Sequence, residues 1–169
     1  MLDTRPAAAQ LLRRNGDAPL TPWKEARRRL EDAQYYWLAT TGPTGQPHVM
    51  PVLGVWLAGA LHLCTGPATR KGRNLTGSPR CVVTVDSDDL HLVVEGTAAR
   101  VLDAERLQDV ADAYAAKYGW HVTIRDSALV GDGAPTAGPP PYHVFAVTPT
   151  TAFGLGTDDA YKATRWRFA

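Results

Sequence analysis

Near residue 35 the spacing of apolar residues changes from three and four to two, and the second mode dominates most of the remaining chain. Before the change, Trp23, Ala26, Leu30 and Ala33 form one stripe, and Lys24, Arg27, Arg28, Arg29 and Glu31 occupy the opposite face. That pattern predicts an amphipathic helix packed on something larger. Thr21 followed by Pro22 reads as its N-cap and first helical residue.

After the change, Tyr36 to Thr40 read as a strand, Thr41 to Gln46 as a hairpin loop, and Pro47 to Leu57 as one long second strand. The second strand is apolar on both faces, with Met50, Val52 and Trp56 on one and Val49, Leu53 and Val55 on the other. Such a strand suits a barrel wall with a core inside and a helix or partner subunit outside. Pro51 removes a ladder donor, so a local gap in pairing is predicted there. Ala58-Gly59 then turns into a third strand, Leu61 to Thr65.

A basic, helix-compatible segment from Gly66 to Pro79 separates this from strands four (Arg80 to Val85) and five (Leu90 to Val101). Asp103 reads as the cap of a second helix with Leu107, Val110, Ala111, Tyr114 and Tyr118 on one stripe, stopped at Gly119. Residues 121 to 141 read as a long loop rich in Gly and Pro, Tyr142 to Thr148 as a sixth strand that can continue to Gly154, and residues 163 to 168 as a last one. Residues 1 to 20 read as an N-terminal arm, with a short helical turn over Gln10 to Arg14 ended by Asn15-Gly16, and residues 21 to 169 as one domain. Six or seven antiparallel strands with flanking helices give a mainly β chain, a small barrel decorated by helices.

Composition narrows the function. Eighteen Lys and Arg against 17 Asp and Glu give a net charge of +1, whereas a nucleic-acid module would carry a marked basic excess. No apolar run approaches the ~18 residues of a membrane span, and no signal-peptide pattern comes after Met1, so the expected location is cytoplasmic. Cys64 and Cys81 sit inside apolar runs and read as buried free thiols.

Most catalytic motifs are missing. The five histidines are isolated in sequence, and there is no H-E-x-x-H or paired C-x-x-C for zinc and no Gly-rich dinucleotide or P-loop motif. Asp86, Asp88 and Asp89 share a polar turn and read as structural. Thr69, Arg70, Lys71, Arg73 and Asn74, by contrast, put several donors at the start of a short helix, where backbone N–H groups and a partial positive charge favour an anion. A solvated basic turn has the same composition. Arg165-Trp166-Arg167 can hold an aromatic ring and an anionic tail, or can be a strand end with snorkelling arginines.

The order of these segments resembles the pyridoxamine 5'-phosphate oxidase-like split-barrel superfamily. The resemblance rests on Tyr36-Trp37-Leu38-Ala39-Thr40, Gln46-Pro47-His48-Val49-Met50-Pro51-Val52, Leu61-His62-Leu63-Cys64-Thr65-Gly66, Thr69-Arg70-Lys71-Gly72-Arg73-Asn74-Leu75 and Thr164-Arg165-Trp166-Arg167-Phe168. It covers about residues 21 to 168 and looks closest to the branch using flavin or deazaflavin cofactors. It implies a six- to seven-stranded antiparallel split β-barrel, FMN-binding type, and a homodimer with cofactor sites at its interface.

In such proteins the second strand lies along the ring system, here His48, Val49, Met50, Pro51 and Val52. Thr65, Thr69, Arg70 and Lys71, with Arg73 and Asn74, hold the phosphate, and Trp166 and Arg167 come from the second subunit. The vitamin B6 enzymes carry Arg early and Lys late in that strand, where this chain has His48 and Leu53, which argues against B6 oxidation itself.

The resemblance thus implies an oxidoreductase passing a hydride from deazaflavin coenzyme F-420, favoured over FMN by an Ala-, Arg- and Gly-rich composition, to a small conjugated or electron-poor substrate. Trp56, Arg165 and the 121 to 141 loop are candidate substrate contacts, and no side-chain catalyst and no metal are implied. A non-catalytic flavin- or haem-binding carrier or sensor would share these features.

Overall fold

The structure is a computed structural model describing residues 4–12, 19–132, 138–157 and 161–169. In chain order they form β1 (Ala8–Leu11), α1 (Trp23–Asp32), β2 (Tyr36–Thr41), β3 (Pro47–Val52), β4 (Gly54–Leu57), β5 (Ala60–Thr65) and α2 (Arg70–Gly77). Then come β6 (Arg80–Val85), β7 (Leu90–Arg100), α3 (Ala104–Tyr118), β8 (Thr123–Arg125), β9 (Ala128–Val130), β10 (His143–Gly156) and β11 (Thr164–Arg167). One antiparallel sheet runs β1-β11-β10-β7-β6-β2-β3, with β5 also on β10 and β4 on β5. The architecture is mainly β with flanking helices, as the sequence pattern predicts, and is consistent with the split barrel that the resemblance implies.

Period-two alternation builds two cores on either side of one wall. On β5 and β10, Leu61, Leu63, Phe145 and Val147 point into the barrel, and Ala60, Cys64, Val144 and Ala146 point into a second cluster outside it. That outer cluster is covered by Leu107, Val110, Ala111 and Tyr114 of α3, whose Asp103 cap accepts from Arg106 N at 2.9 Å and whose Gly119 C-cap has φ +65°. The wall buried on both faces is therefore β5, not the second strand: Val49 and Met50 of β3 are 52% and 39% exposed.

Other expectations are corrected by contacts distant in sequence. The long second strand breaks at Leu53, because β3 pairs with β2 while β4 pairs with β5. Helix α3 takes up the backbone groups released there: Tyr114 donates to Leu53 O at 3.0 Å, and Tyr118 donates to Gly54 O at 2.8 Å and accepts from Gly54 N at 3.2 Å. Pro51 causes no gap. It stays in register with Trp37 on the sheet edge, where a missing donor costs no inner ladder bond.

Thr21 does not cap α1. Its hydroxyl donates to Lys162 O at 2.9 Å and its N–H bonds Thr164 Oγ1 at 3.0 Å, tying the helix entry to the C-terminal strand. Gln10 and Leu11 lie in β1, extended beside β11, rather than in a helical turn; Arg13 to Gly16 lie outside the described residues. The 121 to 141 loop contains the β8–β9 hairpin, turned by Asp126 and Ser127 at φ +51° and +54°.

His62 on β5 is 3% exposed, and its Nδ1 has no hydrogen-bond partner. Burial, helped by Arg106, pulls its pKa down to about 4. The unfolded chain takes up a proton near pH 6.5 while the folded one does not, so stability falls as pH drops from 6.5 towards 4. The expected loss is about 3 kcal/mol over that interval. Urea melts at pH 7 and pH 4.5 measure it; His62→Leu should flatten the difference, and an unchanged difference would place the proton uptake elsewhere.

Candidate functional site

Strand β5 ends at Thr65, and the chain turns through Gly66-Pro67-Ala68 into α2. Thr69 organises this turn. Its hydroxyl donates to Gly66 O at 2.8 Å, accepts from Gly72 N at 3.1 Å as the helix cap, and lies 2.8 Å from Thr65 Oγ1. Because its one proton goes to Gly66 O, Thr65 is the donor between the two threonines. The turn is tight enough to require Gly72: a Cβ there would stand 2.5 Å from Gly66 O, a backbone atom that cannot swing away.

The cap and the Arg73 N bond to Thr69 O (3.0 Å) satisfy the third and fourth amides of the helix. Among the described residues, the amides of Arg70 and Lys71 have no acceptor, which is the usual condition of an open helix N-terminus. Lys71 is 5% exposed and, among the described residues, its side chain has neither an ion-pair nor a hydrogen-bond partner. Desolvation lowers its pKa. A largely buried lysine whose ammonium keeps contact with solvent, on a helix start with two unpaired amides, favours an anion. Arg70 lies exposed at the same helix start, while the Arg73 guanidinium donates back to Ala68 O.

This positive end faces β3. The pKa of His48 is lowered, first by burial and then by the charges of Arg70 and Lys71. Asn74 of α2 donates from Nδ2 to Thr40 Oγ1 at 3.0 Å, and Thr40 Oγ1 donates to His48 O at 3.4 Å. The structure thus gathers His48, Thr65, Thr69, Arg70, Lys71, Arg73 and Asn74 around one helix start. A groove of about 320 Å³ between Gly66–Thr69 and Gly138–Pro141 sets the end of the 121 to 141 segment beside it.

The rest of the predicted set separates. Register places Met50 and Val52 on the side of Leu38 and Tyr36, and Val49 and Pro51 on the outer face with Ala39 and Trp37. Val52 is a core residue at 4% exposure. Trp166 is one too, at 1%, with its ring 5.4 Å from that of Trp23 and no edge left open to a ligand. Arg165 and Arg167 lie on β11, with four strands of the sheet between them and β3, and Trp56 packs edge-on to Trp23 at 6.3 Å.

Thr40 and Gly72 join the site without having stood out in the sequence. Counting back across the Gly42–Gln46 turn puts Thr40 opposite His48, and a glycine in the first turn of a helix is the signal for close approach at residue 72.

The competing chemistries find no support among the described residues. Burial pushes the Cys64 thiol up to about 11 and Cys81 to about 12, so neither is a ready nucleophile. No group of three His, Cys, Asp or Glu residues could hold a metal ion, and no helix is long and apolar enough to cross a membrane.

The family model described as "Pyridoxamine 5'-phosphate oxidase" matches residues 22–156. No curated protein matches the sequence. Among solved structures, a heme binding protein from Mycobacterium smegmatis is similar with TM-score 0.66 at 18% identity, over 86% of this chain and 58% of that one. A FAD-binding protein from Mesorhizobium loti matches with TM-score 0.60 at 16% identity, over 86% and 93% of the two chains. An F-420 reductase matches with TM-score 0.53 at 23% identity, over 75% and 94%. At these identities the likeness is one of fold, and the chain spans under two thirds of the mycobacterial protein.

Proposed function

The chain belongs to the pyridoxamine 5'-phosphate oxidase family, and from that premise we propose that it is an oxidoreductase holding a flavin-type cofactor by its phosphate at the start of α2. The observation that carries this reading is the start of α2, where the amides of Arg70 and Lys71 have no acceptor among the described residues and the charges of both side chains act on His48 of β3. A phosphate meets that need: it supplies acceptors to the two amides and a counter-charge to the lysine. Thr65 and Thr69 shape the cradle, and Arg70 adds a mobile cation at its rim.

The ring system runs along β3 from His48. When bound, the cofactor supplies hydride transfer, and the chain contributes anchoring, orientation and exclusion of water. Deazaflavin coenzyme F-420 is the favoured cofactor and FMN the alternative. The substrate is a small conjugated or electron-poor molecule reaching the ring beside the 121 to 141 segment. The cytoplasm is the proposed location, and the fold neighbours described as binding haem keep a non-catalytic carrier as the second reading.

We further infer a homodimer. Trp37, 49% exposed, and Val49 lie with Ala39 and Pro51 on one uncovered sheet face, the apolar surface a second copy would close. The family resemblance implies that the C-terminal strand of the second subunit reaches the cofactor, and on that ground Arg167 is retained as a contact made across the interface.

Equilibrium titration with FMN and with F-420 tests the reading. At least one should bind with micromolar affinity or better, and Lys71→Ala should weaken it about 30-fold, the loss of one charge-assisted phosphate contact. Binding no tighter than millimolar for both would overturn the cofactor assignment. Steady-state oxidation of the reduced cofactor with enones and quinones separates enzyme from carrier.

A further inference from the structure

The barrel's sheet is incomplete at one place. Strand β2 pairs with β6 only through Trp37↔Thr84, Leu38↔Val83 and Ala39↔Val82, although β2 continues to Thr41 and β6 begins at Arg80. Beyond Ala39 the two strands part, leaving a cavity of about 380 Å³ with Thr40, Thr41, Pro47, Arg80 and Cys81 in its lining. The tip of the β2–β3 hairpin, which carries His48, is therefore not held by the sheet on that side.

What holds it is α2. Asn74 is 5% exposed and Thr40 2%, so the 3.0 Å bond from Asn74 Nδ2 to Thr40 Oγ1 is shielded from water. Thr40 passes its own proton to His48 O at 3.4 Å, which fixes the direction of the chain: amide to hydroxyl to backbone carbonyl. Among the described residues, no other side-chain hydrogen bond joins α2 to β2 or β3; the remaining polar contacts of the helix return to its own turn, at Gly66, Ala68 and Gly72.

We propose that Asn74 is a positioning residue: its bond to Thr40 bridges the split between β2 and β6 and sets the separation of the α2 anion cradle from β3. A ligand anchored by a phosphate at α2 and by a ring along β3 binds well only when that separation matches its own length. Asn74 directs one amide proton to Thr40, and in this proposal it acts on the ligand through the hairpin rather than as a phosphate contact. This rests on the cofactor reading for its consequence in binding, but not for its consequence in the ligand-free protein.

Two measurements on Asn74→Ala and Thr40→Val test it. In the absence of ligand, amide hydrogen exchange of residues 40–48 should accelerate in both variants while β6–β7 amides stay unchanged. Unchanged exchange at residues 40–48 overturns the proposal whatever the protein binds. With ligands, both variants should bind intact FMN or F-420 about tenfold more weakly, since a buried partner is left unsatisfied and the two anchor points lose their fixed spacing.

Inorganic phosphate and riboflavin should each bind the variants as they bind wild type, because each occupies one end only. The double variant should lose no more than either single one, and Thr40→Ser, which keeps the hydroxyl, should behave as wild type. An Asn74→Ala protein that loses inorganic phosphate as strongly as the whole cofactor would make Asn74 a phosphate ligand and overturn the assignment. Failure of the wild type to bind either cofactor would instead strike the functional reading, leaving the exchange result to decide this one.

Discussion

Trp166→Ala is expected to cost about 3–5 kcal/mol of folding stability, the loss typical of a large aromatic removed from a packed core. The indole is 1% exposed, edge-on to Trp23 at 5.4 Å, and Trp23 in turn meets Phe168 at 4.9 Å. The space cannot be refilled from the opposite strand, because Gly154 stands there: a Cβ on it would lie 2.6 Å from the indole. The pair is mutually required, a ring on β11 over a bare backbone on β10. Urea melts measure the loss, and Trp166→Phe should recover part of it. A loss below about 1 kcal/mol would mean that the ring is not structural, and the expectation from the C-terminal motif, a cofactor contact, would return.

Arg29→Ala is the second large effect, expected at about 2–3 kcal/mol. Arg29 is 8% exposed and donates from Nε to Asp89 Oδ1 at 2.8 Å, from Nη1 to Glu25 O at 2.8 Å and from Nη2 to Tyr161 OH at 2.8 Å, with a further Nη2 bond to Asp89. Its guanidinium also lies 4.7 Å from the Tyr161 ring centre. It thereby pins α1 to the β6–β7 turn and to the segment before β11.

The Asp89 side chain is 41% exposed and recovers water when the arginine is gone, which keeps the cost below that of a wholly buried pair. Arg29→Lys should restore little, since one ammonium cannot serve a carboxylate fork, a hydroxyl and a carbonyl together. Thermal melts of both variants decide this: equal stability of Arg29→Lys and wild type would show that charge alone is at work.

What the sequence discloses and what it hides divide along a physical line. Period-two alternation marked β2, β5, β6, β7 and β10 closely, and the caps of α3 were legible because Asp103 and Gly119 act through their own backbone neighbours. Arg29 looked like one of five charges on a solvated face, since its partner Asp89 is 60 residues away. Thr21 resembled a cap because the local pattern is that of a cap; its partners are Lys162 and Thr164, over 140 residues on. The helical reading of Gln10 and Leu11 failed because β11 offers them an unpaired edge.

At the site, the segment from Thr69 to Asn74 announced itself by local composition. Which of its side chains face an anion did not. Lys71 is buried and unpartnered among the described residues, Arg73 turns back to Ala68 and Asn74 turns to Thr40, and these differences come from the helix's seating against β2. The C-terminal arginines and tryptophan read as one motif in sequence, but strand alternation sends Trp166 into the core while Arg165 and Arg167 face the other way.

The start of α2 as a phosphate site is the central claim, and a comparison of FMN with riboflavin probes it most directly, since the two ligands differ by the phosphate alone. In wild type, FMN should bind about 100-fold more tightly than riboflavin, the worth of one to two charge-assisted hydrogen bonds. In Lys71→Ala most of that preference should disappear while riboflavin affinity stays unchanged. Equal affinity of wild type for FMN and riboflavin, or a preference that survives the loss of Lys71 intact, would contradict a phosphate site at α2.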